Sequence, residues 1–269
     1  MLYRYLRLKT TRQVLAAGSV LAHRAKNPLA WIGASHGTFV RLIDIGVRRE
    51  TGKTVELADV IVGLEELLVH APQLRSFRTS TSTDSGSNQS IRTATRYRTR
   101  IVPNLVQYGR HLTTLEISDS GYQEPDIHLL INGLPALVTL VTSAMFMLEL
   151  YKKRSATTST SLKTIVIIDP NDSERTNVCF YDTTYSVIAT WNLPNLHSLL
   201  VYESCPIRQV LKNMMPLLSK HEEVLKEIVF RRWIAFSPED IALLQGTLAR
   251  FNNTHSSDTS VQFHRHKAT

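Results

Sequence analysis

The densest group of functional side chains in the sequence is Arg92, Arg96, Tyr97, Arg98 and Arg100, four guanidinium groups around one phenol. Guanidinium forks hold phosphates and an aromatic ring can stack on a base, so this spacing suits a nucleic-acid backbone. The same residues also read as a basic loop beside the Ser/Thr-rich run from Thr79 to Ser90, and that plainer reading is preferred. The ten histidines are dispersed, and neither HExxH, GxGxxG nor GxxxxGK[ST] occurs. Glu222 and Glu223 follow His221 but read as a solvated helix end, and His264-Arg-His266-Lys267 reads as a basic tail. The only cysteines, Cys179 and Cys205, form no CxxC pair and have no zinc-like His spacing. No catalytic residue, metal ligand or cofactor is therefore expected, and the chain is expected not to be an enzyme.

The formal net charge of +8 favours acidic partners in general, but the Lys and Arg residues are spread along the chain, which suits a basic solvated surface. The first 43 residues contain no Asp or Glu and carry seven Lys and Arg, a composition shared with mitochondrial presequences. Leu6, Leu8, Val14, Leu15 and Leu21 instead fit a strand followed by a helix, so this stretch is read as a first repeat. Leu129 to Leu148 is uncharged and long enough for a membrane span, yet Asn132, Gly133 and Pro135 interrupt it. It is read as a buried helix end followed by a buried strand, with no membrane partner. A cytoplasmic or nuclear location is expected, and the N-terminus keeps a mitochondrial one open.

What must position any binding residue is a repeat. The unit apolar-x-x-apolar-x-apolar begins at Tyr3, Val40, Leu74, Leu112, Leu137, Leu162, Leu196 and Leu225, with starts 25 to 38 residues apart. Two units end in Thr79 and Thr142 rather than an aliphatic residue, which weakens their registers. Ala71-Pro-Gln-Leu74, Leu134-Pro-Ala-Leu137 and Leu193-Pro-Asn-Leu196 lead into three of them, where proline ends a helix and extends the chain. Between units, Val55, Leu57, Val60, Ile61, Leu64, Leu67 and Leu68 recur at helical spacing, as do Val210, Leu211, Met214, Leu217 and Leu218. Ser237-Pro-Glu-Asp240 predicts a capped helix to about Phe251, and Val261-Gln-Phe263 a last strand.

Strand then helix at this period predicts an α/β fold, an irregular leucine-rich-repeat solenoid over 1–269 with a parallel concave sheet and convex helices. A disordered insertion is expected over 79–95 and a flexible tail over 264–269, with smaller polar excursions from Ser155 to Ser161 and from Asp169 to Thr184. Alternation along each strand turns its third and fifth residues to the concave side. Early repeats then present Tyr5, Arg7, Asp44, Ser76 and Arg78. Later ones present Val141, Val166, Leu200 and Val229, with Ile168, Tyr202 and Arg231 one step beyond. Contiguous exposed aliphatics mark partner sites, so these seven later residues are the candidate partner-binding set.

Leu2 to Val14, the unit at Val40, Ala71 to Phe77 and Leu193 to Leu199 resemble the repeat region of fungal F-box proteins. That resemblance implies the substrate-recognition part of a ubiquitin-ligase receptor, a non-enzymatic protein-binding scaffold. The F-box itself has no counterpart in the sequence, so a Skp-type adaptor is not an expected partner. The expected partner is an unidentified protein on the concave face, with nucleic acid at Arg92 to Arg100 as the alternative.

Overall fold

A computed structural model describes residues 4–26, 36–46, 57–79, 100–117, 124–143, 157–168, 181–203, 207–232, 237–255 and 260–265. They belong to two compact units, Met1–Leu137 and Val138–Thr269. The first contains β1 (Tyr5–Leu8), α1 (Thr11–Lys26), β2 (Leu42–Ile45), α2 (Leu57–Val69), β3 (Ser76–Thr79), α3 (100–108), β4 (Thr114–Ile117) and α4 (Glu124–Gly133). The second contains β5 (Thr139–Ser143), β6 (Thr164–Ile168), α5 (Tyr181–Ile188), β7 (Ser198–Glu203), α6 (Ile207–His221), β8 (Glu227–Arg232), α7 (Pro238–His255) and β9 (Ser260–Arg265). Within each unit the strands are parallel and neighbours in space are neighbours in sequence.

All eight repeat units become strands, and each strand begins at the unit's third residue. The first, fourth and sixth positions supply the core: Val40, Leu74, Leu112, Leu162 and Leu196, then Ile43, Phe77, Leu115, Ile165 and Leu199, then Ile45, Ile117, Ile167 and Val201 are all buried. Thr79 and Thr142 are buried as well, so the two units ending in threonine keep the register. The expected stripe on α6 is buried throughout, as are Ile61, Leu64, Leu67 and Leu68 of α2. Full burial of such side chains contributes about 1.5–3 kcal/mol each, which is why so degenerate a repeat still folds.

Proline has a more specific place than helix termination. Pro72, Pro135 and Pro194 are the second residues of tight turns closed by Leu74 N–H to the Ala71 carbonyl (3.0 Å), Leu137 to Leu134 (3.1 Å) and Leu196 to Leu193 (3.1 Å). The fixed φ of proline suits that position. Val40 to Gly37 and Leu112 to Gly109 make the same closure without proline, at 3.1 and 2.8 Å. Before β6 a side chain substitutes for the backbone: Leu162 N–H donates to Ser159 Oγ at 3.2 Å. Ser159 is tied in turn, its N–H reaching the Asn192 carbonyl while Asn192 N–H reaches that of Thr157. The segment from Thr157 to Ser161 is thus packed against the next repeat, which corrects the expectation of a loose polar excursion there. Three more boundaries shift. Thr79 ends β3 inside the core, and 80–95 of the expected insertion lie outside the described residues. Tyr181 to Thr184 open α5, and His264 and Arg265 lie in β9 rather than in a tail.

Two helices open on reciprocal caps. Gln13 N–H donates to Thr10 Oγ1 (3.2 Å) while Lys9 N–H donates to Gln13 Oε1 (2.7 Å). Asp240 N–H donates to Ser237 Oγ (3.1 Å) and Ser237 N–H to Asp240 Oδ2 (3.3 Å), with Pro238 as the first helical residue. Each arrangement satisfies two backbone donors at the helix start.

Neighbouring strands are about 4.8 Å apart, whereas packed helices need about 8–10 Å. In the first unit this mismatch is eased by glycine facing glycine. A Cβ on Gly18 of α1 would stand 2.6 Å from the Gly63 carbonyl oxygen of α2, and one on Gly63 would stand 3.0 Å from Leu15 N. Gly18→Val or Gly63→Val is therefore expected to destabilise the protein by about 1–3 kcal/mol, the usual range for overpacking. Gly246 of α7 is the control, because nothing lies within 4 Å of its Cβ position. There Gly246→Ala is expected to stabilise by about 0.5–1 kcal/mol through helix propensity. Urea midpoints of the three variants check both signs.

Candidate functional site

The strand faces opposite the buried core carry the candidate functional residues, and the two units differ in chemistry. In the first unit, cross-strand register places Arg7 beside Asp44, Asp44 beside Arg78 and Arg78 beside Glu116. Charge therefore alternates strand by strand. Arg7 Nε lies 3.5 Å from Asp44 Oδ2, and Arg78 Nε bonds Glu116 Oε2 directly. The Tyr5 hydroxyl adds a hydrogen bond to Asp44 Oδ2 at 3.4 Å. Partial burial disfavours the Arg78 cation, but the hydrogen bond and attraction of Glu116, with Asp44 and Tyr5 behind them, outweigh it and raise its pKa. This row can hold neighbouring strands in register. It has few unspent charges with which to hold a ligand.

In the second unit, the residues proposed from alternation come together in two rows. Val141, Val166, Leu200 and Val229 are successive register partners, followed by Gln262. One step on, Ser143, Ile168, Tyr202, Arg231 and His264 form the parallel row. The expectation of a fully exposed aliphatic strip needs correction. Val166 and Val229 retain only 9% and 4% of their accessible surface, whereas Val141, Ile168, Leu200 and Tyr202 are half-buried. With strands about 4.8 Å apart, a residue's register neighbours on both sides shield it, and alternation within one strand cannot reveal that. Among the described side chains of these rows, the accessible ones are Val141, Ile168, Leu200 and Tyr202.

Of the alternative nucleic-acid residues, Arg92, Arg96, Tyr97 and Arg98 lie outside the described residues. Arg100, at the start of the described part of α3, is 3.6 Å from Glu65 Oε1 of α2. Cys179, Cys205, His266 and Lys267 also lie outside them. Among the described residues, no group of three or more His, Cys, Asp or Glu could hold a metal ion. No described helix is long and apolar enough to cross a membrane, and in the stretch from Leu129 the helix α4 ends at Gly133 and β5 starts at Thr139.

His221 is the buried titratable group that spacing alone gives no reason to expect inside. It ends α6 with 4% of its surface exposed, beside an open groove of about 380 Å³ lined by Asn192, Pro194, Ser219, Lys220, Glu222 and Glu223 among others. Burial, with Lys220 adjoining, lowers its pKa, and a hydrogen bond to the Ile188 carbonyl opposes this only partly. Nε2 has no hydrogen-bond partner.

No protein-family model matches the chain, and no curated protein matches it in sequence.

Two outcomes follow from these geometries. Asp44→Lys would put three cations in adjacent register positions, replacing two favourable cross-strand pairs worth roughly 0.2–1 kcal/mol each by repulsions. A loss of about 1–2 kcal/mol in denaturant stability is expected, shrinking as salt screens the charges. For His221 the unfolded chain binds its proton near pH 6.5 and the folded chain only below that. Folding stability is therefore full above the unfolded pKa and is lost as pH falls from about 6.5 towards the folded value. The urea midpoint of the native chain is expected to drop more between neutral and mildly acid pH than that of His221→Asn, measured side by side.

Proposed function

We propose that the repeats are leucine-rich repeats and that the protein is a non-enzymatic scaffold, capturing a partner protein on the strand face of its second unit. The observation that carries this reading is the in-register apolar row from Val141 through Val166 and Leu200 to Val229, flanked by Ile168, Tyr202 and Arg231. Parallel strands hold these backbones about 4.8 Å apart, so the row is a preformed surface that needs no ordering to bind. Tyr202 supplies an aromatic anchor of the kind that dominates interface energies, with the flanking aliphatic side chains excluding water around it. A continuous apolar row of this kind suits an extended apolar segment of a partner.

The resemblance to the repeat region of fungal F-box proteins supports a more specific role, substrate recognition for a ubiquitin ligase. That role is inferred by analogy of rhythm and short motifs, not from a matched family.

The test places a photo-crosslinking residue at position 200 or 202 of the full chain in cells. One partner captured from these positions, and not from position 7 in the first unit, is the expected result. Leu200→Asp combined with Tyr202→Ala is expected to weaken that partner about tenfold or more while leaving the unfolding midpoint nearly unchanged. Val166→Asp is unsuitable as a test because Val166 is buried and its loss would unfold the sheet. Unchanged capture by the double variant would refute the assignment.

A further inference from the structure

The strand β1 has an outer edge that the repeat prepares and does not use. In the first unit, the N–H groups of a repeat's second and third residues donate back to one carbonyl of the repeat before. Arg41 (3.0 Å) and Leu42 (3.3 Å) donate to Arg4, and Arg75 (2.9 Å) and Ser76 (3.0 Å) donate to Arg41. Arg4 and Tyr5 hold those two positions in the first repeat. Among the described residues no strand lies before β1, and none accepts the N–H of Arg4 or Tyr5. Unpaired backbone groups in a row are a template for a further strand.

The side chains agree with the backbone. At the fourth repeat position Ile43, Phe77 and Leu115 are fully buried, yet Leu6 is only half-buried, so the core lacks a neighbour on that side. At the third position Leu42, Ser76 and Thr114 are half-buried, whereas Tyr5 keeps 52% of its surface exposed. At the fifth position charge alternates from Arg7 through Asp44 and Arg78 to Glu116. Arg7 starts that series, exposed and with no carboxylate before it among the described residues.

We propose that the open edge of β1 takes an extended segment of a partner protein as an added parallel strand, in which a carboxylate registers with Arg7 and apolar residues register with Leu6 and Leu8. The alternation of charge then continues one strand further, and Leu6 gains the cover that its counterparts have. The surrounding charge favours the same occupant, because Arg4, Lys9 and Arg12 flank Arg7 and residues 1–43 contain no Asp or Glu. A second copy of the chain fits less well. Its last strand, β9, would bring Gln262 into register with Arg7 and contains no carboxylate. The edge belongs to the first unit and does not rest on the apolar face of the second.

Fluorescence anisotropy of the full chain with a labelled peptide of alternating valine and glutamate tests this. Binding is expected, and a valine–lysine peptide of the same length is expected to bind about tenfold more weakly or worse. With glutamate registered on Tyr5 and Arg7, a parallel ladder points the peptide's valine N–H groups at β1 and its glutamate N–H groups away. Methylating the valine nitrogens is therefore expected to weaken binding about tenfold or more, and methylating the glutamate nitrogens far less. On the protein, Tyr5→Pro deletes an outward N–H at the first residue of a strand, where proline is tolerated, and is expected to bind about tenfold more weakly than Tyr5→Ala. Arg7→Gln is expected to bind about two- to fivefold more weakly than the native chain. Lys163→Gln, in the second unit, is expected to bind as the native chain does. Should Tyr5→Pro not fold, the two methylated peptides decide the matter with the native chain. The proposal is overturned by no binding to the native chain, the outcome if another part of the chain occupies the edge. It is equally overturned by native-like binding of the valine–lysine peptide, by methylation acting equally at both sets of nitrogens or more strongly at glutamate, by folded Tyr5→Pro binding like Tyr5→Ala, or by Lys163→Gln losing as much as Arg7→Gln.

Discussion

In six repeats the carbonyl oxygen of the second residue accepts two backbone N–H groups, from the second and third residues of the next repeat, and the remainder of each unit is arranged around that three-centre bond. It occurs at Arg4, Arg41 and Arg75 in the first unit and at Val138, Lys163 and His197 in the second, with distances from 2.8 to 3.3 Å. Because only backbone atoms take part, the side chain at that position is irrelevant to the bond, and arginine, valine, lysine and histidine all serve. What the bond requires is a chain brought in at one angle, and the preceding tight turn provides it. Proline, glycine and the Ser159 hydroxyl are three local solutions to that single requirement. A one-residue slip would break both N–H contacts and turn every core residue to solvent, so the register has no nearby competitor.

Once register is fixed this way, side chains on the open face meet whatever neighbour the lock dictates. At the fifth position of the first unit the outcome is an alternating ionic row. The second unit's open face, at the same repeat positions as the ionic row, is mainly aliphatic.

The strands, the helix stripes and the face on which Val141, Val166, Leu200 and Val229 lie were legible because each depends on periodicity within one segment. The capping box at Thr10 and Gln13 was equally local, present as Thr-x-x-Gln, yet it lacks the proline that made Ser237 conspicuous. Pairings were not legible. Glu116 lies 38 residues from Arg78, and only the register brings them together. The burial of Val166 and Val229 is similar in origin, since it comes from neighbouring strands. Ser159 was illegible for another reason: in a Thr/Ser-rich run, polar composition suggests solvent, whereas here the hydroxyl replaces a carbonyl in a turn.

These constraints bear on how one repeat chain could present a binding face. A polypeptide partner needs apolar surface whose desolvation is favourable, and that is available where cross-strand neighbours are aliphatic. That surface arises from which residue types occupy the fifth and seventh positions of a unit whose first, fourth and sixth are committed to the core. The repeat can therefore keep its fold while its outward positions change chemistry, because the bond that sets the register never consults them.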